Sequence, residues 1–130
     1  MVRNKIMPDT CAWIDFFNGR QTSLAESLAQ SLQQHEVMTC GVVLYELLQG
    51  VRKPGEEPLV LGALRALSHL EMTRELWITA GRLSASLRNG GHILPMSDVV
   101  IAALAMGNGC AVLTVDRHFT KIPGLEVVTL

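Results

Sequence analysis

Four acidic side chains occupy places where a carboxylate needs a reason: Asp9 directly after KIMP, Glu46 inside GVVLYELLQGV, Asp98 at the head of DVVIAALAM, and Asp116 after AVLTV. Brought within about 6 Å of one another at an effective dielectric near 20, such groups repel by roughly 3 kcal/mol per pair. Protons or cations must then neutralise them. Oxygen donors without imidazole or thiolate suit hard ions, so Mg2+ or Mn2+ is the expected occupant. Each acid also has a plainer reading. Asp9 can cap a helix, Asp98 can complement a helix dipole, Asp116 can begin an Asx-turn, and Glu46 can pair with Arg52 or Lys53. A shared cation accounts for all four at once.

The elements that would bring them together alternate strand with helix. Short strands are expected at Lys5–Pro8, Val37–Thr39, His69–Thr73, Ala111–Val115 and Glu126–Thr129. Helices are expected at Cys11–Asn18 with Thr10 as its cap, Ser23–Gln34, Val42–Val51, Leu59–Leu67, Arg74–Arg88, and Asp98–Met106 capped by Ser97. KPGEEP, residues 53–58, reads as an exposed loop between helices. Such alternation predicts a parallel sheet of four or five strands with helices on both faces. With strand order 3-2-1-4-5, the first and fourth strands adjoin where the order reverses, which is where ligands bind in such sheets. Asp9 and Asp116 would end those two strands, and Asp98 would open the helix feeding the fourth. Glu46 sits on an apolar helix beside Val42 and Val43, where free solvation is not expected.

Bulk properties set the limits. A chain of 130 residues suits one domain spanning 1–130. A formal charge of -1 provides no global attraction to nucleic acid, so any such binding needs a local patch or bound cations. Three cysteines without metal-type spacing suggest a reduced, cytoplasmic setting. No secretory signal is evident in MVRNKIMPD. The uncharged run from Val99 to Val115 is split by Gly107, Asn108 and Gly109, leaving halves too short to cross a bilayer.

The blocks MPDTCAWIDFF, VVLYELLQGVR, LPMSDVVIAALAMGNGCAVLTVDRHF and IPGLEVV together closely resemble the PIN-domain family, within it the VapC-like toxins of toxin-antitoxin pairs. The resemblance covers essentially the whole chain. It implies a three-layer α/β/α sandwich and a Mg2+- or Mn2+-dependent endoribonuclease that cuts RNA with metal-activated water. It also implies inhibition by a cognate antitoxin, and a homodimer. The matching metal and catalytic acids are Asp9, Glu46, Asp98 and Asp116, with Thr10 and Thr114 in support. Many members carry a further acid two or three residues after the last of these, where this chain has His118 and Phe119, which leaves one or two ions open. Arg52, Lys53, Arg88 and Arg117 are candidates for holding an RNA backbone.

Other residues near these motifs have ordinary readings. Asp15 is expected to be structural, Cys11 to pack in the core, His118 to lie on a surface turn, and Trp13, Phe16 and Phe17 to form core. The competing functions are a catalytically weak RNA-binding module of the same fold and a receiver-like signalling domain. The latter requires an acid pair at the first strand and an aspartate ending the third, and neither is present. A haloacid-dehalogenase site needs D-x-D after strand one, which DTCAWID does not supply.

Overall fold

The computed structural model describes residues 4–130. Four parallel strands, β1 (Lys5–Pro8), β2 (Glu36–Cys40), β3 (Ser68–Leu70) and β4 (Cys110–Leu113), lie in the order β3-β2-β1-β4. Apart from the first residue of β1 and of β2, these two strands and β4 are buried, as expected of short apolar strands covered on both faces. Pro8 is accommodated because pairing with β2 covers only Lys5 and Ile6, so its missing N–H removes no rung on that side. The expected fifth strand shrinks to one parallel bridge, Val112 to Val127. Gly124, at φ +80°, turns the chain late, and only Glu126–Val128 run close enough to bond Val112.

Among the described residues, six α-helices connect the strands: α1 (Thr10–Phe17), α2 (Ser23–Gln34), α3 (Gly41–Gln49), α4 (Glu56–Arg65), α5 (Arg74–Asn89) and α6 (Met96–Gly107). The step from β1 to β2 and the step from β3 to β4 cross the sheet in opposite directions. Right-handed crossovers therefore put α1 and α2 on one face and α5 and α6 on the other, and the helices pack in those pairs. α2 shows how sequence sets such a helix. The Thr22 hydroxyl accepts from the Ala25 N–H at 3.0 Å, Glu26 lies in the first turn, and Leu24 and Leu28 are buried. Trp13, Phe16 and Phe17 of α1 pack together with ring centroids 5.6 to 5.8 Å apart, one pair stacked and two edge-on, so the aromatic group is core as expected.

α6 explains the long uncharged run. Every residue from Asp98 to Ala105 is buried, so the helix passes through the protein interior. No helix among the described residues is long and apolar enough to cross a membrane.

Several boundaries differ from those read in the sequence. Thr10 is the first residue of α1 and its cap is Asp9; a carboxylate one residue earlier reaches the free N–H better than the hydroxyl does. Ser97 does not cap α6, which begins at Met96 after Pro95, whose fixed φ suits a helix start. The second half of KPGEEP is the first turn of α4, where Pro58 needs no N–H partner and Glu56 and Glu57 favour the dipole. The third strand stops at Leu70 because Thr73 is used as the cap of α5, accepting from Leu76 N–H at 3.2 Å. The fourth strand stops at Leu113, so Asp116 lies three residues beyond it and caps a 3-10 helix, Arg117–Lys121.

Candidate active site

β1 and β4 end side by side where the strand order reverses, and the N–H of Asp9, the residue after β1, donates to the carbonyl of Leu113, the last residue of β4, at 2.9 Å. Asp9 is thereby fixed against the start of the segment Thr114–Asp116. Its Oδ1 accepts from the Thr10 N–H at 2.7 Å, while Oδ2 accepts from the Thr114 hydroxyl at 3.1 Å and the Cys11 thiol at 3.5 Å. The capping reading of Asp9 is thus correct, and it uses only one of the two oxygens.

Thr114 is the joint of the site. Its buried hydroxyl donates to Asp9 and accepts from the Asp116 N–H at 2.9 Å, which ties the end of β1 to the loop carrying Asp116. A small hydroxyl can do both because it has one donor and two lone pairs. Asp116 in turn accepts from the His118 N–H at 2.9 Å, an Asx-type turn that orients its carboxylate.

Asp98 enters from the first turn of α6, 7 % exposed. His118 Nδ1 lies 2.8 Å from Asp98 Oδ2 and 3.3 Å from Asp116 Oδ1. One ligand atom from each of these three residues falls within 4.8 Å of the others, close enough to hold a metal ion. Glu46 joins from the Asp9 side, where the Thr10 hydroxyl donates to its Oε1 at 2.6 Å. Pairing of Glu46 with Arg52 or Lys53 does not occur; Arg52 offers only its backbone N–H, and that goes to Glu56 at 3.0 Å. The four acids therefore arrive as two groups, Asp9 with Glu46 and Asp98 with Asp116, joined through Thr114.

Electrostatics give the same picture. Burial pushes the Asp9 carboxyl above its ordinary range despite its three hydrogen bonds, and the Glu46 charge adds to the effect. Burial also raises Asp98, against the His118 hydrogen bond, with the charges of Asp116 and Asp9 raising it further. No lysine or arginine among the described residues forms an ion pair with any of the four acids. The donor set is one that a cation would relieve.

Two residues do more than the sequence reading gave them. His118 is exposed in a turn, as expected, but the 3-10 helix sends Phe119 into the core and leaves His118 facing the acids. Cys11 packs against the core, as expected, and is also half-buried beside Asp9 and Thr114, 3.5 Å from each, where burial raises its thiol pKa. The spacing D-x-H from Asp116 to His118 was the signal for the first; the second residue of a helix after its cap was the signal for the other. Asp15 is structural as expected, bonded to Arg20 at 3.3 Å and to the Thr22 hydroxyl at 2.9 Å. Arg52, Arg88 and Arg117 are exposed and form no ion pair with the four acids; Arg88 lines a groove with Met96 and Val99.

Comparison with known proteins places these features in context. A family model described as PIN domain matches residues 6–125. Ribonuclease VapC11 of Mycobacterium tuberculosis is 24% identical over 121 residues, covering 90% of each chain. Among solved structures, a chain of VapBC2 from Rickettsia felis bound to a DNA fragment of its promoter aligns with TM-score 0.77 and 22% identity, over 95% of this chain and 97% of that one. A chain of DNA-bound VapBC from Salmonella typhimurium aligns with TM-score 0.76 and 24% identity, over 96% and 97%.

Proposed function

The chain belongs to the PIN-domain family, and from that premise we propose that it is a divalent-metal-dependent endoribonuclease, the toxin of a toxin-antitoxin pair. The observation that carries the reading is the single hydroxyl of Thr114 linking Asp9 to the Asp116 backbone, with Asp98 and Glu46 beside them and no lysine or arginine among the described residues paired with any of the four acids. Asp9, Glu46, Asp98 and Asp116 would hold Mg2+ or Mn2+. The fit rests on donor chemistry: carboxylate oxygens drawn from four separate segments, two of them held above their ordinary pKa by burial.

When bound, a divalent ion supplies Lewis acidity toward phosphate oxygens, a water acidic enough to attack near neutral pH, and charge to offset the leaving oxygen. The chain's own part is placement. Thr10 holds Glu46, Thr114 holds Asp9 and the loop of Asp116, and the first turn of α6 holds Asp98. No Ser, Cys or His nucleophile is needed. Cleavage leaves a 5′-phosphate and a 3′-hydroxyl. Arg52, Arg88 and Arg117 are free to meet the RNA backbone at the rim.

A cognate antitoxin would cover the groove of Ile14, Phe17, Leu47, Val51 and Leu59 that opens beside Glu46, where Ile14 and Leu59 stand exposed. A homodimer would use the exposed Trp77 and Met96 beside α5 and α6. The setting proposed is the cytoplasm, in keeping with three free cysteines. The test is end-labelled RNA incubated with purified protein and Mn2+ or Mg2+. We expect cleavage that EDTA stops and that Asp116→Asn loses, with ligatable 5′-phosphate ends. Undiminished cleavage by Asp116→Asn, or cleavage in EDTA, refutes the reading.

A further inference from the structure

We propose that His118 is a direct donor of the cation site, through Nδ1, and that this nitrogen biases the site toward Mn2+ over Mg2+. The inference rests on the metal-centre reading above and concerns which ion that centre prefers.

The geometry begins with how His118 is held. Asp116 accepts the His118 N–H at 2.9 Å, and the neighbouring Phe119 is buried at 1 % exposure, so the 3-10 turn is pinned on both sides of the histidine. The ring then presents Nδ1 to two carboxylates from different elements, 2.8 Å from Asp98 Oδ2 and 3.3 Å from Asp116 Oδ1. Two ligands at right angles around an octahedral ion bound at about 2.1 Å stand about 3 Å apart. The two observed separations bracket that spacing. An ion seated among Asp98, Asp116 and His118 would therefore have the imidazole nitrogen at ligand spacing from both carboxylates.

Nitrogen in place of a carboxylate changes the chemistry in a definite direction. Mg2+ takes oxygen ligands and gives up its waters reluctantly. Imidazole is chiefly a ligand of the first-row transition ions, of which Mn2+ is the weakest binder but still a member, whereas Mg2+ keeps to oxygen. Replacing a further negative charge by a neutral donor also lowers total site charge, which costs Mg2+ more because its binding here has only electrostatics to draw on. The competing role for His118 is to donate Nδ1–H to Asp98 and so orient that carboxylate without touching an ion. That role gives no nitrogen bond to the metal.

The experiment uses the full chain, stripped of metal, grown with 15N-histidine and loaded with Mn2+ alone. Electron spin-echo spectroscopy reads nitrogen coupled to the Mn2+ spin, and calorimetry measures Mn2+ and Mg2+ binding to the wild type, His118→Ala and His118→Asp. We expect a histidine 15N coupling that disappears in His118→Ala, although three other histidines remain. Mn2+ affinity should fall about tenfold or more in His118→Ala, while Mg2+ affinity changes about threefold or less. His118→Asp should shift preference back toward Mg2+. Mn2+ bound without a His118-dependent coupling, or equal losses for both ions, overturns the inference while leaving the metal centre standing. Failure of the wild type to bind either ion overturns both.

Discussion

Asp9→Asn separates the structural and the chemical duties of one side chain. The amide oxygen can still accept the Thr10 N–H, now made at 2.7 Å, so the cap of α1 survives. The amide nitrogen would face the Thr114 hydroxyl, now 3.1 Å from Oδ2. That hydroxyl can accept from it as well as from Asp116 N–H, turning its own proton toward Cys11 Sγ at 3.5 Å. Nothing buried is left without a partner, and a buried carboxylate whose ionisation is disfavoured has been removed. Metal-free Asp9→Asn should therefore melt at or above the wild type at neutral pH. Asp9→Ala, which leaves the Thr10 N–H without its cap, should be less stable than Asp9→Asn by about 1 kcal/mol. Ions reverse the ranking. At a hundredfold excess over Kd, binding stabilises the wild type by about 2.7 kcal/mol, which for 130 residues is a Tm rise of roughly 10 °C. Asp9→Asn should show little of that rise. The assay is thermal unfolding by circular dichroism in EDTA and in graded Mn2+. A wild type indifferent to ions, or an Asp9→Asn as unstable in EDTA as Asp9→Ala, would refute the reasoning.

Asp9 and Asp98 both have folded-state pKa values above the ordinary 3.8, chiefly through burial. The folded state thus holds their protons more tightly than the unfolded chain. Their stabilisation is complete below the ordinary value and is lost as pH rises through the raised ones. Unfolding in EDTA should accordingly show this contribution falling from mildly acidic to neutral pH, with a flatter profile in the double variant Asp9→Asn, Asp98→Asn; a profile unchanged by those substitutions contradicts it. Thr114→Val leaves Asp116 N–H and Asp9 Oδ2 short of a partner and should cost about 1 to 3 kcal/mol together with most of the RNA cleavage. Thr114→Ser should restore cleavage, and a Val variant as active as wild type would remove Thr114 from the site. Asp15→Asn should leave Mn2+ binding unchanged by calorimetry and cost about 1 kcal/mol or less, since its Arg20 partner is well exposed.

The alternation of apolar strands with helices was enough to expect a parallel sheet covered by helices, and the strand order came with the family resemblance. α2 and β1 have the boundaries their residues suggest because local signals agree: Thr22 caps, Leu24 and Leu28 repeat, and Pro8 stops a strand. Where one residue could serve two neighbours, local reading failed. Thr10 and Asp9 competed for one N–H, and Thr73 was needed by α5 and not by β3. The fifth strand failed for a related reason, since an extended stretch becomes a strand only if a partner runs beside it for more than one rung.

What the amino-acid order determined by itself is the set of acids and their arrival at one end of the sheet, because strand ends and helix starts share that edge whatever the side chains do. Only the tertiary structure decided how they meet: that Thr114 joins Asp9 to Asp116, that Glu46 is held by Thr10 from 36 residues away, and that His118 turns toward Asp98. Those contacts depend on how a 3-10 turn and the first turn of α6 are rotated against β4, a matter of packing across the whole core that no local spacing encodes.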